Sequence, residues 1–119
     1  MLEALRFGFR RDRRLRKRRD FVAVQTGGAK VRTKYFLVLV RKGTGRVGIT
    51  VTKRTGNAVT RNRLKRLIRE FVRQSGWDAG AWVPRDRDVV IIARSAAAGQ
   101  SYRDLAGDLE RNRQRVAAC

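Results

Sequence analysis

Between Lys53 and Glu70 the sequence reads KRTGNAVTRNRLKRLIRE, seven cationic side chains against one carboxylate. Wound as a helix, such a stretch spans about five turns, roughly 25 Å, the scale of several phosphates along an RNA backbone. An arginine can fork onto two phosphate oxygens or stack on a base, and Asn62 can donate and accept at a base edge or a sugar hydroxyl. A merely solvated helix face normally carries acids one turn from its bases, and here only Glu70 is present. The chemistry on offer is recognition of a polyanion.

Bond-breaking chemistry finds few groups. The chain has no histidine and one cysteine, Cys119, at the last position. Neither a Ser-His-Asp nor a Cys-His nucleophilic centre can be assembled from this set, nor a zinc site of the usual Cys/His kinds. The 10 acids are scattered, without metal-ligand spacing or a Gly-rich phosphate loop beside them. No disulfide can close within one chain, and the lone tail thiol suits a reducing, cytoplasmic setting.

The elements that must position these groups fit into one domain. At 119 residues with 42% hydrophobic content, the chain can bury roughly 60 to 70% of its unfolded surface. Against that core stand 30 Lys and Arg and 10 Asp and Glu, a net charge of +20, which makes the compact state repel itself and calls for a polyanionic partner. Nucleic acid leads, and an anionic membrane surface trails. Up to Arg73 there are 23 basic and 4 acidic residues, a net +19, and beyond it 7 and 6, a net +1. The binding surface is therefore expected from residues 1–73. The Arg-rich residues 1–20 lack the long apolar run of a secretory signal, and nothing approaches the length of a spanning helix.

Residues 1–14 read as a flexible basic segment ahead of a single domain over 15–119. Eight Arg and one Lys between Arg6 and Arg19 face only Asp12, so these cations repel one another in the free protein. A short basic helix is expected from about Leu15 to Val24, ending before Gly27 and Gly28. Val31 to Lys42 is extended and apolar without alternation, hence covered on both faces. After the Gly43–Thr44–Gly45 turn, Arg46 to Lys53 alternates, with Val47, Ile49 and Val51 on one face, and is expected to pair antiparallel with the preceding strand as a hairpin. Asn57 suits the N-cap of a helix running to about Arg73, with Leu64, Leu67, Ile68, Phe71 and Val72 inward. Residues 74–87 are loop, Val89 to Ala93 is a buried strand, and a last helix runs from about Ser101 to Val116. With a small first strand over 29–33 the order is α-β-β-β-α-β-α.

In its motifs the sequence resembles the protein subunit of bacterial ribonuclease P. The resemblance rests on Arg46 to Thr52 (RVGITVT), on Lys53, Arg54, Gly56, Asn57, Ala58 and Val59, and above all on Arg61-Asn62-Arg63 followed by Lys65, Arg66, Ile68, Arg69 and Glu70. Leu15, Phe21, Val24 and Gly28 upstream, and Asp88 to Arg94 (DVVIIAR) and Tyr102 downstream, extend it over roughly residues 9–115. The resemblance implies an α+β fold. It is a two-layer α/β sandwich on a four-stranded mixed sheet, with a left-handed βαβ crossover, of the kind shared with a domain of one small-subunit ribosomal protein.

It also implies an endoribonuclease of tRNA 5′ maturation in which a catalytic RNA subunit performs the hydrolysis with its magnesium ions. The protein would carry no catalytic residue, no metal site and no cofactor, and would need no obligate protein partner. Carried onto this chain, Lys53, Arg54, Arg61, Asn62, Arg63, Lys65, Arg66 and Arg69 contact the RNA subunit. Arg14, Lys17, Arg18, Phe21, Tyr35, Leu37, Leu39, Gly48, Thr50 and Thr52 line the cleft that takes the 5′ leader of precursor tRNA. A cationic groove with aromatic faces suits single-stranded RNA of any sequence. Phe21 has a second reading, as a core residue joining the first helix to the sheet. Gln25 and Leu39 stand where family members commonly carry aromatics, so stacking there is weaker. A non-enzymic RNA-binding protein of ribosomal type is the alternative function, sharing the size, the charge and the lack of catalytic groups.

Overall fold

The computed structural model describes residues 18–75 and 86–119. The expected flexible segment over 1–14, most of the Trp-containing loop, Arg14 and Lys17 fall outside them, as do the side chains of Phe21 and Gln25. In chain order the elements are α1 (Arg18–Gly27), β1 (Ala29–Arg32), β2 (Phe36–Lys42), β3 (Val47–Val51), α2 (Ala58–Ser75), β4 (Arg87–Ala93), α3 (Tyr102–Arg111) and α4 (Arg113–Ala117). Single 3-10 turns, Lys53–Thr55 and Ser95–Ala97, lead out of β3 and β4. The expected last helix is thus two helices, divided at Asn112. The expected long strand from Val31 is broken by a turn at residues 33–35.

The sheet order is β1-β2-β4-β3, antiparallel except for the β3–β4 pair, which is parallel. This corrects the expected β2–β3 hairpin: β4 lies between the two strands. The reason is Asp88 on β4. Its carboxylate, in a residue only 6% exposed, accepts the amides of Thr44 (3.2 Å) and Arg46 (3.0 Å) and the Arg46 guanidinium (2.9 Å). The β2–β3 connection is thereby wrapped over the start of β4 instead of closing a tight turn. β2 and β4, the two strands with unbroken apolar runs, occupy the centre, where both faces are covered.

One face carries the main core. Val38, Val40, Val47, Val51, Val89 and Ile91 of the sheet meet Leu64, Ile68, Phe71 and Val72 of α2 and Leu105 and Leu109 of α3. Phe36, Leu64, Ile68, Ile91 and Leu109 are 1% exposed or less, and burying each contributes roughly 1.5 to 3 kcal/mol. The opposite face is smaller: Val24 of α1 packs on Leu39 and Val90, with Leu37 and Ile92 half-buried beside them. Strand register aligns two rungs on that face, Lys30–Leu39–Val90–Gly48 and Arg32–Leu37–Ile92–Thr50.

Gly28 sets how closely α1 approaches. A Cβ there would sit 2.5 Å from the Val24 carbonyl oxygen and 2.8 Å from that of Val40, backbone atoms that cannot swing aside. Gly28→Ala is expected to push α1 off β2 and cost about 1 to 3 kcal/mol, measured by urea denaturation. An unchanged midpoint would mean the helix carries no such constraint.

Candidate nucleic-acid interface

The cationic helix α2 starts where its sequence says it should. The Asn57 side chain accepts the amide of Thr60 at 2.9 Å, satisfying one of the first-turn N–H groups that the helix cannot. Gly56, at φ +143°, joins this cap to the preceding 3-10 turn in a conformation that L side chains rarely adopt. Burying Leu64, Ile68, Phe71 and Val72 then turns the basic residues outward. Asn62, Arg66 and Arg69 are exposed, and Arg61, Arg63 and Lys65 are half-buried at the margins of the stripe. Lys53 and Arg54 are exposed on the turn just before. Val59, 78% exposed, lies among these charges.

The cations are not equivalent. Arg63 Nη2 donates to the Gln100 carbonyl at 2.8 Å, so it also holds the loop that leads into α3. Arg73 forms an ion pair with Glu70, which in turn accepts from Gln74 at 2.7 Å. The Arg73 and Gln74 hydrogen bonds hold the Glu70 carboxyl below its ordinary range, and Glu70 raises Arg73 in return. Burial, and then the Glu70 charge, push the Tyr102 phenol up. Among the described residues no carboxylate lies within ion-pair distance of Arg61, Lys65, Arg66 or Arg69. Their charge remains available for a phosphate.

The second surface is the smaller sheet face. Leu37 is half-buried on it, as is Thr50 on the same rung; Leu39 points to the same face but is 3% exposed beneath Val24 of α1, so it belongs to the small core there and not to the open surface. Gly48 is buried one rung away, opposite Val90. Exposed Thr52 lines an open groove of about 420 Å³ with Arg54, Ile92, Arg94, Ser95 and Ala96. Arg18 is exposed on α1.

Tyr35 does not belong to this surface. It is 7% exposed within the main core, with its hydroxyl 3.4 Å from Gln100 Oε1. Parity fails there because β2 begins at Phe36, so Tyr35 lies in the turn, where alternation does not apply.

Two further arginines complete the picture. Arg54, grouped by sequence with the α2 cations, opens onto the same groove as Thr52 and so joins the two surfaces. Arg94 is not among the expected site residues, yet it lines that groove, and its Nη1 donates to the carbonyls of Thr33 (2.7 Å) and Lys34 (3.2 Å). β4 ends at Ala93, but Arg94 is still extended, at φ −85° and ψ 161°, so the parity of Val90 and Ile92 carries on to it.

Among the described residues, no three His, Cys, Asp or Glu side chains converge as a metal site, and no helix is long and apolar enough to cross a membrane. The outer stripe of α2 offers a ligand exposed cationic side chains, Arg66 and Arg69 among them.

The ribonuclease P family model matches residues 9–117. The ribonuclease P protein component of Citrifermentans bemidjiense is 50% identical over 104 residues, covering 85% of each chain. That of Desulfatibacillum aliphaticivorans is 38% identical over 113 residues, covering 92% of each. Among solved structures, the RNase P protein of Thermotoga maritima superposes with a TM-score of 0.73 at 33% identity, over 87% of this chain and 96% of that one. An RNase P protein mutant of Staphylococcus aureus gives 0.77 at 28% identity, over 98% and 95%. A four-stranded mixed sheet carrying an Arg-Asn-Arg helix on one face and an open cleft on the other, matched over nearly its whole length, places this chain in the ribonuclease P protein family.

Proposed function

We propose that the two surfaces divide the protein's work in ribonuclease P, the endoribonuclease that matures the 5′ end of tRNA. The outer stripe of α2, with the Lys53–Thr55 turn, binds the ribonuclease P RNA with which the family associates. The open sheet face, beside α1, binds the single-stranded 5′ leader of precursor tRNA in the cytoplasm. The observation that carries this division is the placement of the two sets: Asn62, Arg66 and Arg69 are exposed on α2, over the main core. Leu37, Thr50 and Ile92 lie half-buried on the reverse of the sheet. One polyanion seated on a single face would not meet both.

Hydrolysis belongs to the RNA subunit. In this reading magnesium enters through the RNA subunit, while the buried acids Asp88 and Asp108 serve protein donors, Arg46 and Thr33. The ions are carried by RNA, and the protein supplies charge, shape and position.

Reconstitution tests this directly. At low magnesium, where the RNA alone is weak, adding the protein to ribonuclease P RNA and precursor tRNA should restore removal of the 5′ leader. Binding to ribosomal RNA with no stimulation of cleavage would instead make this a structural RNA binder of ribosomal type.

A further inference from the structure

Along β1, the outer strand of the sheet among the described residues, the chain gathers cations that neither set of expected site residues includes. Lys30, Arg32 and Lys34 are all exposed. The Thr33 amide donates to the Phe36 carbonyl at 2.8 Å, which makes 33 and 36 a hydrogen-bonded pair. The neighbouring pair, Arg32 opposite Leu37, is then the non-bonded kind, and its Arg32 carbonyl faces away from the sheet. Arg115 of α4 reaches round the edge to that carbonyl, at 3.1 Å, and is steadied by Asn112 Oδ1 at 2.7 Å. Arg94 takes the next two carbonyls, Thr33 and Lys34. Both guanidiniums are fixed by neutral carbonyl oxygens, so they are held in place with their charge intact. Among the described residues no carboxylate lies within ion-pair distance of Lys30, Arg32, Lys34 or Arg115.

We propose that this edge is an exit track for the leader: once the strand has crossed the open sheet face, its more 5′ phosphates run over β1 and are held by Lys30, Arg32, Lys34 and Arg115. This rests on the cleft reading above. The direction follows from the topology. α2 and its RNA-subunit contacts follow directly on β3, at one edge of the sheet, and β1 is the opposite edge. The part of the leader nearest the scissile bond must lie toward the catalytic RNA, so the distal part emerges at β1. The rung Thr50–Ile92–Leu37–Arg32 marks the crossing, three strand spacings or about 14 Å. It begins with half-buried, largely apolar side chains suited to bases and ends on a cation suited to phosphate.

The test uses the holoenzyme, reconstituted with its RNA subunit, and two precursors. One has a leader ending within the cleft; the other is extended at its 5′ end by a single-stranded run. The extended leader should bind more tightly to the native holoenzyme. The variant Lys30→Gln/Arg32→Gln/Lys34→Gln should lose that gain, on the order of tenfold at low salt, with the log–log salt slope falling by roughly 0.7 for each phosphate no longer neutralised. Arg115→Gln should act in the same direction, and the short-leader affinity should stay at the native value. Equal affinity of the native holoenzyme for both leaders, or equal weakening of both by the triple variant, would overturn the track. Failure of the cleft reading itself looks different: Thr50→Glu would leave short-leader affinity unchanged.

Discussion

Replacing Asp108 by alanine should lower the stability of the protein by about 3 to 5 kcal/mol, the range for removing one partner of a buried charged network. Asp108 is only 2% exposed on α3, yet its carboxylate serves a turn more than 70 residues away. It accepts the Thr33 hydroxyl at 2.6 Å, the Tyr35 amide at 2.9 Å and the Lys34 amide at 3.3 Å. Thr33 in turn accepts the Phe36 amide at 2.9 Å. Alanine would take the acceptor from all three donors, at roughly 1 to 3 kcal/mol for each one left buried and unsatisfied. For a domain of this size the expected fall in Tm is roughly 10 to 20 °C, followed by circular dichroism. Asp108→Asn, which keeps an acceptor, should fall between the native protein and the alanine variant, and Thr33→Val should cost less than Asp108→Ala because it leaves the carboxylate accepting the Lys34 and Tyr35 amides. A loss under about 1 kcal/mol for Asp108→Ala would show that water replaces the carboxylate and that the turn is held by the β1–β2 ladder alone.

The Asp108 network marks where sequence reading stops. Local signals are legible because their physics is local. Asn57 caps α2, Val47 and Val51 face the core by strand parity, and the unbroken apolar runs of β2 and β4 are covered on both faces. Strand order is not legible. Apolar runs say that both faces are buried but not which strand lies alongside, and what places β4 beside β2 is Asp88 reaching the β2–β3 connection. The α2 cations of the site are legible as a set, because helical spacing turns them all away from the apolar stripe. What spacing does not carry is the difference between Arg63, spent partly on Gln100, and Arg66, exposed and open to RNA. Tyr35 escapes because alternation extends only as far as the strand, and it stands one residue beyond the end. Arg94 escapes because it follows an apolar run and looks like its boundary.

That difference between the cations decides how the two surfaces should be separated. Arg66→Gln with Arg69→Gln removes two exposed charges from α2 without touching a hydrogen bond that holds the fold. The pair should weaken assembly with the RNA subunit and reduce its salt slope by roughly 0.7 to 0.9 for each phosphate that goes unneutralised. At modest ionic strength this corresponds to a loss on the order of tenfold in the assembly constant. Arg63→Ala should weaken assembly too, but with a measurable loss of stability, because the Gln100 carbonyl loses its donor. Thr50→Glu, on the reverse of the sheet, should leave assembly near the native value. It should instead weaken precursor binding once the protein is saturated with RNA subunit, since a carboxylate on the open face repels the leader backbone. Titrating RNA subunit into each variant, and then precursor into each saturated holoenzyme, separates the two constants. If both variants moved only the assembly constant, the sheet face would be a second contact for the RNA subunit and the leader would lie elsewhere. If both moved only precursor binding, the Arg-Asn-Arg helix would face the substrate. Opposed effects, each confined to its own constant, are what a protein with a cationic helix on one face and a half-apolar sheet on the other should give, because each surface offers its RNA a different chemistry.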